Sequence, residues 1–142
     1  MKALLLSLTV ALAGCGPTVR HDATARQPSG TFLISAEQIA KSGAQNAWQV
    51  LQRSAPMLVA QNDKDGRPGK LTRRGRSSLL LDDSPIVLLD GVRIPDFRNL
   101  DTVGAESIRS IAIVDGVEAT TYYGTNSGSG VILIKTKDGS EP

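Results

Sequence analysis

The amino-acid sequence predicts one small domain of the α/β (α+β) class, with a mixed sheet of about four strands and short helices. Two observations predict this class. Short β-rich apolar runs, of which residues 131–134 are the strongest, alternate along the chain with segments of helical spacing. The chain has 142 residues, a length typical of one domain.

The first half of this domain is predicted to begin with a strand and continue into a helix. Residues 31–34 form an extended apolar run, and Ser35 with Gln38 three positions later has the pattern of a capping box. Apolar residues then repeat at helical spacing as far as Arg53, which predicts a single helix. Gly43 weakens the middle of this helix by about 1 kcal/mol relative to alanine. The next predicted elements are a strand at 57–60, a loop at 62–69 and a brief strand at 71–74.

The second half is predicted to hold a hairpin, a buried strand, a short helix and a final strand. The pair Asp90-Gly91 is a tight-turn signal between two β-rich runs, which predicts a hairpin. Tyr122 or Tyr123 is expected to pack beneath the turn that precedes the final strand. The predicted elements are strands at 86–89 and 92–94, helical turns at 99–103 and 105–107, a strand at 108–114, a helix at 117–123 and a strand at 131–134 that continues into solvent at 135–137.

The beginning of the chain has the pattern of an export signal rather than of a folded element. Lys2 is positive, residues 3–12 are mostly apolar, and Leu-Ala-Gly directly precedes Cys15. The apolar stretch is roughly half of the ~20 residues that a membrane-spanning helix needs. We therefore predict a signal peptide at residues 1–14.

Cys15 is the only cysteine in the chain, so it has no internal disulfide partner. A lone cysteine after Leu-Ala-Gly resembles the lipobox of bacterial lipoproteins. This resemblance implies a diacylglycerol on the Cys15 thiol, cleavage after Gly14 and acylation of the new amine, and two or more acyl chains make a stable anchor. Gly16 follows the cysteine where an aspartate would signal retention in the inner membrane, so the resemblance implies the outer membrane. The alternative is an ordinary secretory signal with an incidental cysteine.

Composition divides the remaining chain into a spacer, a domain and a tail. Residues 15–30 hold few apolar side chains and cannot bury enough surface to offset the entropy of ordering them, so a lipid-anchored flexible tether is expected. Residues 31–138 are long enough for one modest core, and residues 139–142 form a short tail.

Four blocks in the domain resemble, in order, the plug domain of TonB-dependent receptors, especially of the SusC type. The blocks are LTRRGRSS at 71–78, SPIVLLDGVRI at 84–94, IRSIAIVDG at 108–116 and ATTYYGTNSGSGVILIKTK at 119–137. The family patterns are I-R-G-x-x-S, P-L-x-V-I-D-G-V-P-I, I-E-S-I-E-V-L-K-G and A-x-x-Y-G-x-x-x-x-x-G-V-I-x-I-x-T-K. Residues 34–56 also resemble the first plug helix, which ends in L-x-x-x-P. The resemblance implies a small plug-like domain.

The same resemblance implies a barrel around the plug, and this sequence is too short to form one. The receptors hold the plug inside a large barrel, which needs at least about eight strands of about ten residues each. Five residues follow Lys137, so the expectation is a plug with no barrel attached and no transport cycle within this chain alone. Residues 16–30 also lack an apolar segment like the one that pairs the receptors with the energy-transducing protein TonB, so direct coupling to TonB is not expected.

A basic segment is the main candidate for a binding role. It places five cations within ten positions: Arg67, Lys70, Arg73, Arg74 and Arg76. One interpretation is a solvated loop, and the other is a partner-docking patch formed by Arg73, Arg74 and Arg76. In the receptors, the arginine of the R-G pair, here Arg74, faces acidic groups of the barrel wall. Arg74 could pair in the same bidentate manner with a separate partner, or with Asp82 or Asp83 of its own chain.

Several other kinds of functional site are excluded, because the residues that they need are missing from the sequence. His21 is the only histidine and lies in the spacer, which leaves no zinc ligand set and no base for a serine nucleophile. Asp63 and Asp65 faintly resemble a calcium loop, but its twelfth position is Arg74 rather than glutamate. A formal charge of +2 with few aromatic residues does not indicate a nucleic-acid partner. We predict no enzyme, no cofactor and no metal site.

The leading hypothesis is a non-enzymatic, lipid-anchored, plug-like binding module at the periplasmic face of the bacterial outer membrane. It would contact the membrane through the lipid on Cys15. Its protein partner would be an outer-membrane barrel or receptor, and the module would be accessory to TonB-dependent uptake. The alternative is a structural remnant of a receptor plug without a specific transport role.

Overall fold

The computed structural model describes residues 30–75 and 83–137, and within these ranges the chain forms seven strands and three α-helices. The strands are β1 (Thr31–Ser35), β2 (Leu58–Asn62), β3 (Pro68–Arg73), β4 (Ile86–Leu89), β5 (Val92–Ile94), β6 (Ile108–Val114) and β7 (Val131–Thr136). The helices are α1 (Ala36–Ser42), α2 (Ala47–Ser54) and α3 (Gly116–Tyr123), and short 3-10 turns lie at Phe97–Asp101, Ala105–Ser107 and Thr125–Ser127. The predicted α/β class is confirmed.

Five of the strands form one mixed sheet in the order β1-β6-β7-β4-β5. β4 and β7 run parallel, and the other neighbours are antiparallel. β2 and β3 form a separate antiparallel pair. The main sheet therefore has five strands where about four were predicted, and β1 joins it by pairing with β6, a partner far along the chain.

The predicted single helix is wrong, because the chain breaks it at Gly43. Gly43 adopts a left-handed conformation with φ of 63°, and its N–H donates to the Ala40 carbonyl at 3.4 Å, which ends α1. Asn46 then starts α2, since its side-chain oxygen accepts from the Gln49 N–H at 2.9 Å. The predicted capping box of Ser35 and Gln38 is confirmed at the start of α1.

The main core lies between one face of the five-stranded sheet and the two helices α1 and α2. Side chains that alternate along the strands meet apolar residues of the helices there, as the two-residue period of a strand requires. The fully buried members with the largest volumes in this cluster are Trp48, Ile34, Leu51, Leu71, Leu100, Ile108, Ile111, Ile132, Ile134, Val50 and Val87.

A smaller cluster lies on the opposite face of the sheet, beneath α3. Ala119 of α3 is fully buried against Val114 of β6 and Val131 of β7. The buried residues of α3 are Gly116 and Ala119, whereas its last three residues are exposed, so the predicted packing of a tyrosine beneath the last turn is wrong. Tyr122 is 73 % exposed and Tyr123 is 41 % exposed. Both tyrosines lie at the end of this two-turn helix, beyond the residues that Ala119 contacts, so their rings remain exposed.

The hairpin of β4 and β5 is closed by Asp90 and Gly91, as predicted. Both residues have positive φ, 49° and 86°, which matches the twist of a two-residue hairpin turn. The Asp90 carboxylate accepts from the Thr136 N–H at 2.9 Å and from the Thr136 hydroxyl at 2.7 Å. Asp90 thereby ties the hairpin to the end of the parallel strand β7.

We expect Asp90 to make the stability of the domain depend on acid pH. The hydrogen bonds from the Thr136 N–H and hydroxyl hold the pKa of the Asp90 carboxyl below its ordinary value. Because the folded state lowers this pKa, the stabilisation is complete above the ordinary pKa, about 3.9, and is lost as the pH falls through the folded value. The melting temperature of the Asp90→Asn variant should therefore lie below that of the parent chain at pH 6, and the two should converge as the pH falls below the lowered pKa of Asp90.

Thermal unfolding followed by circular dichroism at several pH values would measure this convergence. The pKa values of Glu37 and Asp63 are also lowered, by the Lys41 side chain and by the Arg67 N–H respectively. Both groups are present in the parent and the variant, so the difference between the two chains isolates Asp90. A difference that stays constant from pH 6 to acid would contradict the role of the ionised carboxylate.

Candidate docking surface

Three parts of the chain meet at Asp115, the residue before α3. The Asp115 N–H donates to the Gly30 carbonyl at 2.8 Å, where the described chain begins. Its carboxylate accepts from the Val117 N–H at 2.7 Å, which caps α3. The second carboxylate oxygen lies 3.8 Å from the Arg73 guanidinium at the end of β3. Asp115 therefore joins the start of the domain, the helix and the two-stranded sheet.

A second contact fixes the same end of β1 to α3. The Thr31 hydroxyl donates to the Glu118 carboxylate at 3.0 Å. Gly30 has φ of 121°, and a Cβ at that position would lie 3.2 Å from the same Glu118 oxygen. We call the group formed by Gly30, Thr31, Arg73, Asp115 and Glu118 the α3 junction. The Asp115 backbone N–H and the Glu118 carboxylate hold the first described residues of the domain beside α3.

Arg73 also lies over the loop that leads into β7. Gly130 has φ of 95°, and a Cβ there would lie 2.7 Å from the Val114 carbonyl oxygen and 3.5 Å from the Arg73 guanidinium. The guanidinium is a quarter exposed and the Asp115 carboxylate a third exposed, so their ion pair contributes at most about 1 kcal/mol. Arg73 is therefore a partly buried member of the α3 junction and not a solvent-exposed cation.

The structure divides the three residues of the predicted docking patch. Arg73 contacts Asp115, whereas Arg74 is exposed and its backbone N–H donates to the Met57 carbonyl at 2.8 Å. Arg76 lies outside the described residues, as do Asp82 and Cys15. Within residues 30–75 and 83–137 the structure gives Arg74 no ion pair. The docking role of Arg74 and Arg76 stays a prediction.

Asp63 serves the turn between β2 and β3. Its carboxylate accepts from the N–H groups of Asp65 and Arg67, at 3.0 and 2.9 Å, and from the Arg98 guanidinium at 3.3 Å. The described residues contain no group of three or more metal-ligating side chains close enough to hold an ion. They also contain no helix that is long and apolar enough to cross a membrane.

Sequence reasoning missed the α3 junction, although part of it was visible. Asp115 stands two residues before the helix predicted at 117–123, close to the position of a capping residue, and this local signal could have identified it. The contact of Thr31 with Glu118 joins residues 87 positions apart. No local pattern carries that information, because it depends on the pairing of β1 with β6.

Replacing Asp115 by alanine should lower the free energy of unfolding by about 1–2 kcal/mol, because α3 loses its cap and Arg73 its partner. Asp115→Asn keeps a side-chain oxygen for the Val117 N–H and removes only the charge, so we expect it to cost less than about 1 kcal/mol. Urea unfolding of both variants would measure the two losses. Equal losses would show that the charge, rather than the cap, carries the effect.

Comparison with known proteins agrees with this architecture. The chain is 29 % identical over 140 residues to the TonB-dependent receptor SusC of Bacteroides thetaiotaomicron, a match that covers 92 % of this chain and 13 % of the receptor. It is 31 % identical over 141 residues to the TonB-dependent receptor P39 of Formosa agariphila, which covers 98 % of this chain and 13 % of that protein. The chain thus spans about one eighth of the length of these curated relatives.

Solved structures show the same fold at lower sequence identity. The RagAB peptide importer in its closed-closed state matches with a TM-score of 0.62 at 24 % identity, over 80 % of this chain and 13 % of that one. The ferric yersiniabactin uptake receptor FyuA from Yersinia pestis matches with a TM-score of 0.58 at 22 % identity, over 76 % of this chain and 17 % of that one. The family model of the TonB-dependent receptor plug domain matches residues 23–131. The chain therefore belongs to the TonB-dependent receptor plug domain family.

Proposed function

We propose that this domain is a non-enzymatic binding module of the bacterial outer membrane that is accessory to TonB-dependent uptake. The observation that carries the proposal is the plug-family match over residues 23–131, together with the plug fold of the described domain. The matched relatives are named as receptors or importers, and their plugs form part of those proteins. The remnant alternative is not favoured, because the domain keeps a closed core and an ordered sheet.

The proposed attachment is a lipid on Cys15, which holds the domain at the periplasmic face of the membrane. The support comes from the residues themselves: an apolar stretch at 3–12, then Leu-Ala-Gly, then a cysteine that has no disulfide partner in the chain. Two or more acyl chains would hold the protein stably, whereas one chain alone gives only marginal binding.

Labelling with an alkyne fatty acid tests this attachment. Cells that express the full chain should incorporate the label, and Cys15→Ser should abolish the label and move the protein from the membrane to the soluble fraction. Ser29→Cys in the Cys15→Ser background is a matched control, because it restores a thiol outside the lipobox and should remain unlabelled. Label retained by Cys15→Ser would contradict the proposal.

The proposed partner is an outer-membrane barrel or receptor protein with an acidic surface. Arg74 is exposed, so it can form bidentate bonds with a carboxylate of another protein, and Arg76 follows it in the same basic segment. Arg73 is the weaker candidate of the three, since it already contacts Asp115.

Co-purification from solubilised membranes tests the docking role. The Arg74→Glu and Arg76→Glu variant should lose the outer-membrane protein that the parent chain retains. Lys64→Glu is the matched control, since Lys64 is an exposed cation in the turn between β2 and β3, and it should retain that protein. Equal recovery with all three chains would contradict docking through this segment.

A further inference from the structure

One helix leaves part of the second face of the five-stranded sheet uncovered. α3 has eight residues and is only about 12 Å long. It covers the row of paired residues that includes Val114 and Val131. The next row contains Leu33, Ala112, Leu133 and Leu88, which are paired in that order across β1, β6, β7 and β4. An apolar row therefore continues beyond the end of the helix.

A groove of about 570 Å³ lies over this uncovered part of the sheet. Leu88 and Leu133 contribute to its apolar lining, and Tyr123 of α3 contributes an aromatic ring that is 41 % exposed. Asp90 and Thr136 line the groove where the parallel strands β4 and β7 end. The volume is within the range of small-molecule sites, about 300–1,000 Å³, and ligands commonly bind beyond the carboxyl ends of parallel strands.

Two cations from adjacent strands line the same groove. Lys135 belongs to β7 and Arg109 to β6, and both side chains belong to exposed residues. The pairing of β6 with β7 shifts register between Ile108 and Ser110, so Arg109 lies at a bulge, a feature that redirects a side chain. The single carboxylate that lines the groove, Asp90, already accepts two hydrogen bonds from Thr136. The groove thus combines an apolar floor with a net positive charge.

We propose that this groove binds an acyl chain that ends in an anionic group. The chain lies along Leu88, Leu133 and Tyr123, and the anion lies between Lys135 and Arg109. A cationic ligand would be repelled by Lys135 and Arg109. A strongly polar ligand would make no apolar contact with Leu88 and Leu133. An added β-strand does not fit, because the backbone groups of β7 already pair with β4 and β6. The site is separate from the basic segment at 67–76 and does not depend on a lipid at Cys15.

The first test is a titration of the full chain with dodecanoate below its micelle concentration, followed by methyl NMR. The Leu88 and Leu133 methyl signals should shift and saturate, while those of the main core should not. Dodecyltrimethylammonium has the same chain length and the opposite charge, and we expect it to bind at least about tenfold more weakly, a difference of about 1.4 kcal/mol. No shift with dodecanoate, or equal binding of the two amphiphiles, would overturn the proposal.

Two charge reversals locate the anion. Lys135→Glu should weaken dodecanoate binding at least about tenfold, since it replaces a favourable charge pair by a repulsive one. Lys64→Glu changes the net charge equally at a remote exposed turn and should leave the affinity within about twofold of the parent chain. Tyr123→Ala should weaken binding of dodecanoate and of decanol alike, because it removes apolar wall and no charge. Equal loss with both lysine variants would show that binding follows net charge, and the proposed site would be wrong.

The same pair of variants distinguishes a free fatty acid from a membrane lipid. Sedimentation with phosphatidylglycerol vesicles is compared for Lys135→Glu and Lys64→Glu, both in the Cys15→Ser background, so that no lipid on Cys15 can hold the chain on the vesicle. Loss of vesicle binding by Lys135→Glu alone identifies an anionic lipid as the source. Loss of dodecanoate binding with unchanged vesicle binding identifies the free acid. If neither assay separates the two variants, the groove does not bind anionic acyl chains.

Discussion

Replacement of Trp48 by alanine should lower the free energy of unfolding by about 3–5 kcal/mol. Trp48 is 2 % exposed and is the largest side chain in the core between α2 and the sheet. Its indole N–H donates to the Asn62 side chain at 2.7 Å, which ties α2 to the end of β2. Alanine leaves both a cavity and a lost hydrogen bond. A domain of this size has a total stability of about 5–15 kcal/mol, so this loss is a large share of the total and the variant should unfold at a clearly lower temperature than the parent chain.

Trp48→Phe separates the two causes. Phenylalanine keeps most of the apolar ring and removes the donor to Asn62, so we expect a loss of about 1–2 kcal/mol. Urea unfolding curves for the three chains give the free energies directly, with the slope as a check that the same surface unfolds. A loss below about 1 kcal/mol for Trp48→Ala would show that neighbouring side chains refill the space, which contradicts close packing around Trp48.

Gly130→Ala should destabilise the domain by at least about 2 kcal/mol, the second large effect that we expect. Gly130 has φ of 95°, a conformation that side chains rarely adopt, and an added Cβ would lie 2.7 Å from the Val114 carbonyl oxygen. That oxygen belongs to the backbone of β6, so it cannot rotate away. Relief of the clash would shift the start of β7, the strand in the middle of the sheet.

Gly128→Ala is the matched control for this prediction, two residues earlier in the same loop. Gly128 has φ of −57°, and the nearest atom to an added Cβ is the Thr125 carbonyl oxygen at 3.9 Å. We expect this variant to be neutral or to stabilise by about 0.4–1 kcal/mol, since alanine restricts the unfolded chain. Thermal unfolding of both variants provides the comparison. Similar melting temperatures would mean that the loop moves freely, and the argument from Gly130 would fail.

Features that depend on neighbouring residues could be predicted from the sequence. The capping box at Ser35 and the hairpin turn at Asp90-Gly91 both rest on residues at most three positions apart, and the structure contains both. The order of the last elements, from the strand at 108–114 to the strand that begins at 131, is also confirmed. Their apolar runs are long enough for periodicity to identify them.

Features that depend on distant partners could not be predicted in this way. From the sequence, Gly43 carries only a local penalty to helix stability. In the structure the helix ends there, because Asn46 caps a second helix three residues later. The position of β1 at the edge of the sheet follows from its pairing with β6, which no local pattern carries. In the sequence Arg73 belongs to a basic segment, whereas in the structure its guanidinium lies beside the Asp115 carboxylate. The exposure of Tyr122 likewise depends on where α3 ends over the sheet.

One strand, β7, connects the α3 junction with the groove. Its first residue, Val131, pairs with Val114 beside the α3 junction, and its last residues, Lys135 and Thr136, line the groove. The four to five residue steps from Val131 to these last residues span about 15 Å of strand. The α3 junction and the groove therefore lie on the same face of the sheet, at opposite ends of β7. Because one continuous strand runs from the junction to the groove, a displacement of β7 at the junction would also move the residues of β7 that line the groove.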